Sequence, residues 1–182
     1  MHKNESIIIT VIILIFACSI FLINLNKTAI SKNIFVLQNL NDAHIKVISP
    51  ALKNESQNKK ILKYLLNKKI SEISFYKTKH KNIEYSIVYA KYINPVNLKS
   101  GADAIIKFFK NYNFKYKLTN NKIKQNKAIL IEGTFEKNRK KYAIKEQLIK
   151  KHNILWQVII IYQYSDKNNK LAQNYINSID IL

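Results

Sequence analysis

Residues 154–164 read ILWQVIIIYQY, and this stretch decides what kind of fold the chain can make. Trp156, Val158, Ile159, Ile160, Ile161 and Tyr162 are β-branched or aromatic, so the run reads as a strand. It is too apolar for a strand on a surface. Working outward from it, residues 114–123, 128–135 and 142–149 are also strand-like. Polar, Lys- and Asn-rich turns at 124–127, 137–141 and 150–153 separate these segments into a meander. Downstream, Ser165 or Asp166 can cap a helix whose Leu171, Ala172, Tyr175 and Ile179 fall on one stripe.

Upstream, the alternation of Ile83, Tyr85, Ile87 and Tyr89 marks one face of a strand. Val88, Ala90 and Tyr92 make its other face apolar as well, which places it centrally in a sheet. Ile73 and Phe75 mark a preceding strand, with Lys77–Asn82 as the turn between the two. Ser100-Gly101-Ala102-Asp103 has the form of a capping box, and predicts a helix with Ala102, Ile105, Ile106, Phe109 and Tyr112 on its apolar face. Residues 44–49 alternate like a short strand, which Pro50 stops because it lacks an N–H. Residues 52–60 read as a loop, and ILKYLL at 61–66 as a further strand.

The chain has 182 residues, one domain's worth, with 31 Lys+Arg against 11 Asp+Glu and a formal charge of +20. Two glycines, two prolines and one cysteine exclude collagen-like and disulfide-built classes, and 47% hydrophobic content excludes wholesale disorder. Residues 7–23, IIITVIILIFACSIFLI, carry no charge and are near the lower length for a membrane-spanning helix. The organisation expected is a stub at 1–6, a transmembrane anchor or signal segment at 7–23, a tether at 24–42 and one α+β domain at 43–182. An uncleaved anchor, a lipoprotein signal with Cys18 as the lipidated residue, and a cleaved signal are the readings of the apolar segment. For the lipoprotein reading Ala17 is suitably small before Cys18, whereas Phe16 is bulky and the apolar run continues past the cysteine.

Lys27 and Lys32 against Lys3 and Glu5 weakly favour a cytoplasmic domain by charge, while a short stub before one apolar segment is the usual form of an exported signal anchor. The expectation adopted is an inner-membrane, single-pass protein with its C-terminal domain extracytoplasmic.

Several phrases together resemble the PsbP-like family, which includes a lumenal extrinsic subunit of photosystem II and exported bacterial proteins and lipoproteins of undefined activity. They are IKVISP at 45–50, YSIVYAKY at 85–92, a helix opened by GADA at 101–104, ILWQVIIIY at 154–162, and the terminal NSIDI at 177–181. The resemblance covers residues 43–182. It implies an antiparallel β-sheet flanked by helices and a binding or assembly role, and it transfers no catalytic residue. The family's glycine-rich phrase is reduced here to Ile131-Glu132-Gly133-Thr134, and Tyr175 and Ile179 stand where phenylalanine is commoner.

Chemistry is sparse in the sequence. His2, His44, His80 and His152 have no metal-ligand spacing, so no metal or cofactor is expected; His80 and His152 read as solvated turns. Glu132, Glu136 and Glu146 lie on or beside the meander strands, and read as salt-bridged to neighbouring lysines rather than as a general-acid pair. No phosphate loop, GxSxG elbow or Cys/His arrangement is present. Residues 107–151 concentrate the positive charge, but nearly all of it is lysine, and Arg139 is the chain's one arginine. Nucleic acid is therefore disfavoured, since specific binders rely on the arginine fork. The aromatics Phe108, Phe109, Tyr112, Phe114 and Tyr116 read as core, as does Trp156.

Lys137, Arg139, Lys140 and Lys141 form a hairpin tip suited to an acidic partner or anionic headgroups. The function expected is thus a membrane-tethered, extracytoplasmic binding or assembly domain without catalysis, held through residues 7–23, with an envelope protein as partner. The alternatives are a small envelope enzyme whose cleft is not visible in sequence, and a cytoplasm-facing basic domain binding nucleic acid or anionic lipid.

Overall fold

A computed structural model of the chain describes residues 35–55 and 70–182. The anchor at 7–23 with Cys18, and the strand expected at 61–66, lie outside the described residues. Among the described residues no helix is long and apolar enough to cross a membrane.

The strands are β1 (Val36–Leu40), β2 (Ile45–Ser49), β3 (Lys53–Asn54), β4 (Ile70–His80), β5 (Ile83–Tyr92), β6 (Lys115–Ile123), β7 (Asn126–Lys137), β8 (Lys140–Lys151), β9 (Ile154–Gln163) and β10 (Asp180–Ile181). The helices are α1 (Leu98–Phe109) and α2 (Asp166–Asn177). Seven strands form one antiparallel sheet in the order β3-β4-β5-β9-β8-β7-β6. A second sheet, β1-β2-β10, is also antiparallel. The class is α+β, with an antiparallel sheet between helices, as the sequence implies.

The long sheet is buried on both faces, because its central strands have apolar residues at both parities. Phe75, Val88, Ala90, Leu155, Ile159 and Ile161 pack with Ala102, Ala104, Ile105 and Phe109 of α1. Tyr85, Ile87, Tyr89, Trp156, Val158 and Ile160 face the other way, towards Ala172, Tyr175 and Ile176 of α2 and Ile45 and Val47 of the small sheet. The layers are therefore α1, the long sheet, and then α2 beside the small sheet. β9, the stretch that decided the fold, sits between β5 and β8. The Trp156 indole Nε1–H donates to the Ala43 carbonyl at 2.6 Å, which joins the two sheets.

Three features differ from the sequence reading. The fold reaches upstream of Ala43, because residues 36–40, read as tether, pair with β2. Gln38 fastens this pairing: its amide donates to Ser49 Oγ at 2.5 Å and to the Pro50 carbonyl at 2.7 Å, and its oxygen accepts from the Leu52 N–H. Secondly, α1 is capped by Asn97 and not by a Ser100 box, since the Asn97 Oδ1 accepts from Lys99 N and Ser100 N. Thirdly, the turns are shorter than their polar runs: only Lys81–Asn82 separates β4 from β5, and Lys77–His80 continue the strand. Lys81, Lys124, Asn138, Arg139 and His152 take positive φ in these tight connections. In agreement with that reading, Ser165 does cap α2, accepting from Asn168 N at 3.2 Å.

Candidate functional site

α2 begins at Asp166, behind its cap Ser165 and just past the central strand β9, and it packs on β8 and β9. Beside it an open groove of about 370 Å³ crosses from β6 to the end of β9, lined in part by Lys115, Lys117, Glu132, Thr134, Lys145, Tyr162 and Tyr164 and by Asn169 of α2 itself. Strand alternation puts the strand residues among these on one face: register pairs Lys117 with Glu132 and Glu132 with Lys145.

The floor of the groove is a polar network. The Lys145 ammonium is buried, and it donates to Glu132 Oε1 and, at 2.6 Å, to Gln173 Oε1 of α2. A buried cation requires such paired acceptors, because loss of its hydration is otherwise uncompensated. Beside it Tyr162 donates its hydroxyl to Asn169 Oδ1 at 2.8 Å. Burial, with the Glu132 charge adding to it, pushes the Tyr162 phenol up to about 12, so it stays a donor. Asn121 and Gln147 exchange amide hydrogen bonds further along the face. Lys115 and Lys117 are exposed at the groove's rim.

The tip expected from sequence adjoins this groove. Lys137, Arg139, Lys140 and Lys141 lie at the β7–β8 turn, with Asn138 and Arg139 both in the left-handed region at φ 52° and 60°. Lys141 places its ammonium 4.4 Å from the centroid of the Tyr164 ring, and Tyr164 is a groove wall. Tip and groove thus form one mainly positive surface, with Glu132 in the groove and Glu136 opposite Lys141 as its acidic residues.

Other ionisable residues are placed individually. His80 ends β4, its ring 6.4 Å from that of Phe35, and burial lowers its pKa. His152 sits in the β8–β9 turn, and His44 packs its ring 5.6 Å from that of Tyr89. Among the described residues no group of three His, Cys, Asp or Glu side chains could hold a metal ion. Glu132 pairs with a lysine as expected, and Glu146 does not. Glu146 is fully buried on the α1 side of β8, where Gln157 Nε2 donates to its Oε1 at 2.5 Å and Oε2 has no hydrogen-bond partner. Burial raises its pKa well above the usual carboxylate range, and the Gln157 hydrogen bond opposes this only partly. The signal was in the alternation, since Glu146 lies between Ile144 and Leu148 on one strand face. Glu84, also buried, is raised by burial but is ion-paired to Lys77 at 2.7 Å.

Of the aromatics read as core, Phe108, Phe109, Tyr112 and Phe114 pack there, whereas Tyr116 is exposed, because it lies on the edge strand β6. Phe109 is buried against Phe114 and Phe135, at centroid distances of 4.8 and 4.9 Å, and Tyr116 stacks on Phe114 at the sheet edge. Gly133 has a structural reason in the same place: a Cβ there would lie 2.2 Å from Phe114 Cε2 and 2.9 Å from the Lys115 carbonyl oxygen.

The fold and site define an α+β domain with an open, polar, lysine-rimmed groove. No family model matches the chain, and no curated protein sequence matches it. Among solved structures, it is similar to LpqN of Mycobacterium tuberculosis, described as involved in cell envelope biogenesis, at 12% identity and TM-score 0.47, over 80% of this chain and 86% of that one. It is similar also to the Saccharomyces cerevisiae Ran-binding protein Mog1p, at 10% identity and TM-score 0.46, over 82% and 96%. A Pseudomonas aeruginosa protein of unknown function gives 12% identity and TM-score 0.41, over 77% and 94%. Likenesses of this size assign neither family nor role.

Proposed function

We propose that the chain is a PsbP-like, membrane-tethered domain that binds an acidic envelope protein outside the cytoplasm and carries out no catalysis. The observation that supports this best is the continuous positive surface running from Lys140 and Lys141, across Tyr164, to Lys115 and Lys117. Of the carboxylates near it, Glu132 neutralises the buried Lys145 and Glu84 answers Lys77, while Glu136 stands opposite Lys141 in the β7–β8 register. The uncharged segment at 7–23 supplies the membrane anchor in this reading.

The test is crosslinking of the full-length chain in its own cells, followed by mass spectrometry, with R139E/K140E/K141E as the comparison. A specific acidic protein recovered with the parent chain and lost with the variant is the expected result. Recovery of the same proteins from both would sink the reading. A periplasmic phosphatase fused after Leu182 checks the orientation, and an inactive phosphatase beside an active cytoplasmic reporter would overturn it.

A further inference from the structure

The long sheet has one edge that nothing described covers. β6 pairs with β7 on one side, and on its other side it has no strand neighbour among the described residues. It is nine residues long and unbroken by proline or bulge, and its guard against indiscriminate pairing is the charge of Lys115, Lys117 and Lys122, which an acidic segment would neutralise. The two-residue connection Lys124–Gln125 makes Ile123 and Asn126 a hydrogen-bonded pair, so the N–H groups of residues 115, 117, 119, 121 and 123 turn towards β7. Those of Tyr116, Leu118, Asn120 and Lys122 therefore point away from the sheet. On the α1 side Tyr116 and Leu118 are 49% and 42% exposed, and Tyr116 borders a cleft of about 440 Å³ whose other lining residues are Asp103, Ile106, Lys107, Lys110 and Phe114. On the opposite side the edge presents Lys115 and Lys117.

From this we infer that β6 is a docking edge that receives an extended segment of the partner as an eighth strand, one that alternates acidic with apolar side chains. The inference rests on the binding function proposed above and specifies the form of the partner's segment. Strand addition supplies main-chain hydrogen bonds, and alternate side chains set the specificity. In an added strand one parity faces the exposed Tyr116 and Leu118, and takes apolar groups; the other faces Lys115 and Lys117, and takes carboxylates. Charge selects this occupant over the others. A second copy would bring a β6 with Lys115, Lys117 and Lys122 and no acid. Residues 56–69 of the same chain carry five lysines and no acid, so they offer no complementary charge either.

The experiment uses the full-length chain in detergent micelles and a fluorescein-labelled nonapeptide alternating glutamate with valine, read by anisotropy. A lysine–valine nonapeptide and a glutamate–valine peptide N-methylated at alternate residues are the controls. The glutamate peptide should bind at least tenfold more tightly than either control, and should slow amide exchange at residues 116, 118, 120 and 122. N120P removes an outward N–H and leaves the β7 ladder intact, so it should abolish binding without altering the far-ultraviolet circular dichroism. K115E/K117E should reverse the preference between the two charged peptides. Equal binding of the N-methylated and unmodified peptides, or of the glutamate and lysine peptides, overturns the inference without involving any protein variant. Sedimentation showing a dimer that the peptide does not displace overturns it in favour of a second copy. Loss of crosslinking in R139E/K140E/K141E with undiminished crosslinking in N120P would refute the edge while leaving the binding function standing.

Discussion

Glu146 makes the stability of the domain depend on pH in a direction opposite to that of a salt-bridged carboxylate. Its carboxyl is 0% exposed, its one hydrogen bond comes from Gln157, and burial holds its pKa well above 4.5. In the folded state it keeps a proton that the unfolded chain has released, so the native state binds more protons and stability falls as pH rises from the unfolded value towards the folded one. The slope is about 1.4 kcal/mol per pH unit for one group. Between pH 5.5 and 7.5 this amounts to as much as ~2.7 kcal/mol, or roughly 5–10 °C in Tm for a domain of this size.

In E146Q the amide oxygen still accepts from Gln157, and no proton has to be held. The variant and the parent should therefore agree to within about 1 kcal/mol near pH 5, and diverge steadily above it in favour of the variant. Glu84, also raised, contributes a slope of the same sign, and His80, lowered, contributes the opposite one near neutrality. Both groups are common to the two proteins, so the difference between their curves isolates Glu146. Urea unfolding followed by circular dichroism at half-unit intervals measures it. Parallel curves from pH 5.5 to 7.5 would mean that Glu146 is ionised in the folded protein, and the reasoning would fail.

Three further outcomes follow from the packing. G133A should destabilise by about 1–3 kcal/mol, because the new methyl overlaps Phe114, and G133A/F114A should recover part of that loss in thermal melts. W156F removes the donor to the Ala43 carbonyl and should cost about 1–3 kcal/mol in denaturant unfolding; an unchanged midpoint would show that this bond contributes nothing. N97A should cost about 1 kcal/mol while S100A changes stability little, and the reverse order would restore the capping box that the sequence suggested.

The long sheet was legible because its core strands carry their own evidence. β5 and β9 are apolar at both parities and rich in β-branched and aromatic residues, which marks strands buried on both faces. α2 could be read from Ser165 and the stripe behind it. β1 and β10 could not: Val36–Leu40 and Asp180–Ile181 are strands only because β2 lies between them, and pairing across the chain leaves no local pattern. The turns were overdrawn for a related reason. Lys77 to His80 are polar yet remain in a strand, because β5 supplies their partners in register; polarity marks exposure to water and not the end of a ladder. Asn97 and Ser100 both suit a cap, and composition does not say which one the backbone turns towards. At the site, the tip at 137–141 could be read, since it is local. The Glu132–Lys145–Gln173 network draws on two strands and a helix, and only the fold brings them together.

The small sheet has a bearing on how the chain matures. The Ile48 N–H donates to Ser178 Oγ across a separation of 130 residues, and the Lys124 ammonium reaches the Ile181 carbonyl at 2.8 Å. β2 is thus among the first described strands to be synthesised, and one of its flanks waits for residues made nearly at the far end of the chain. Removing residues 180–182 would therefore keep every strand of the long sheet and leave β2 open on that side, so the two sheets can be perturbed separately.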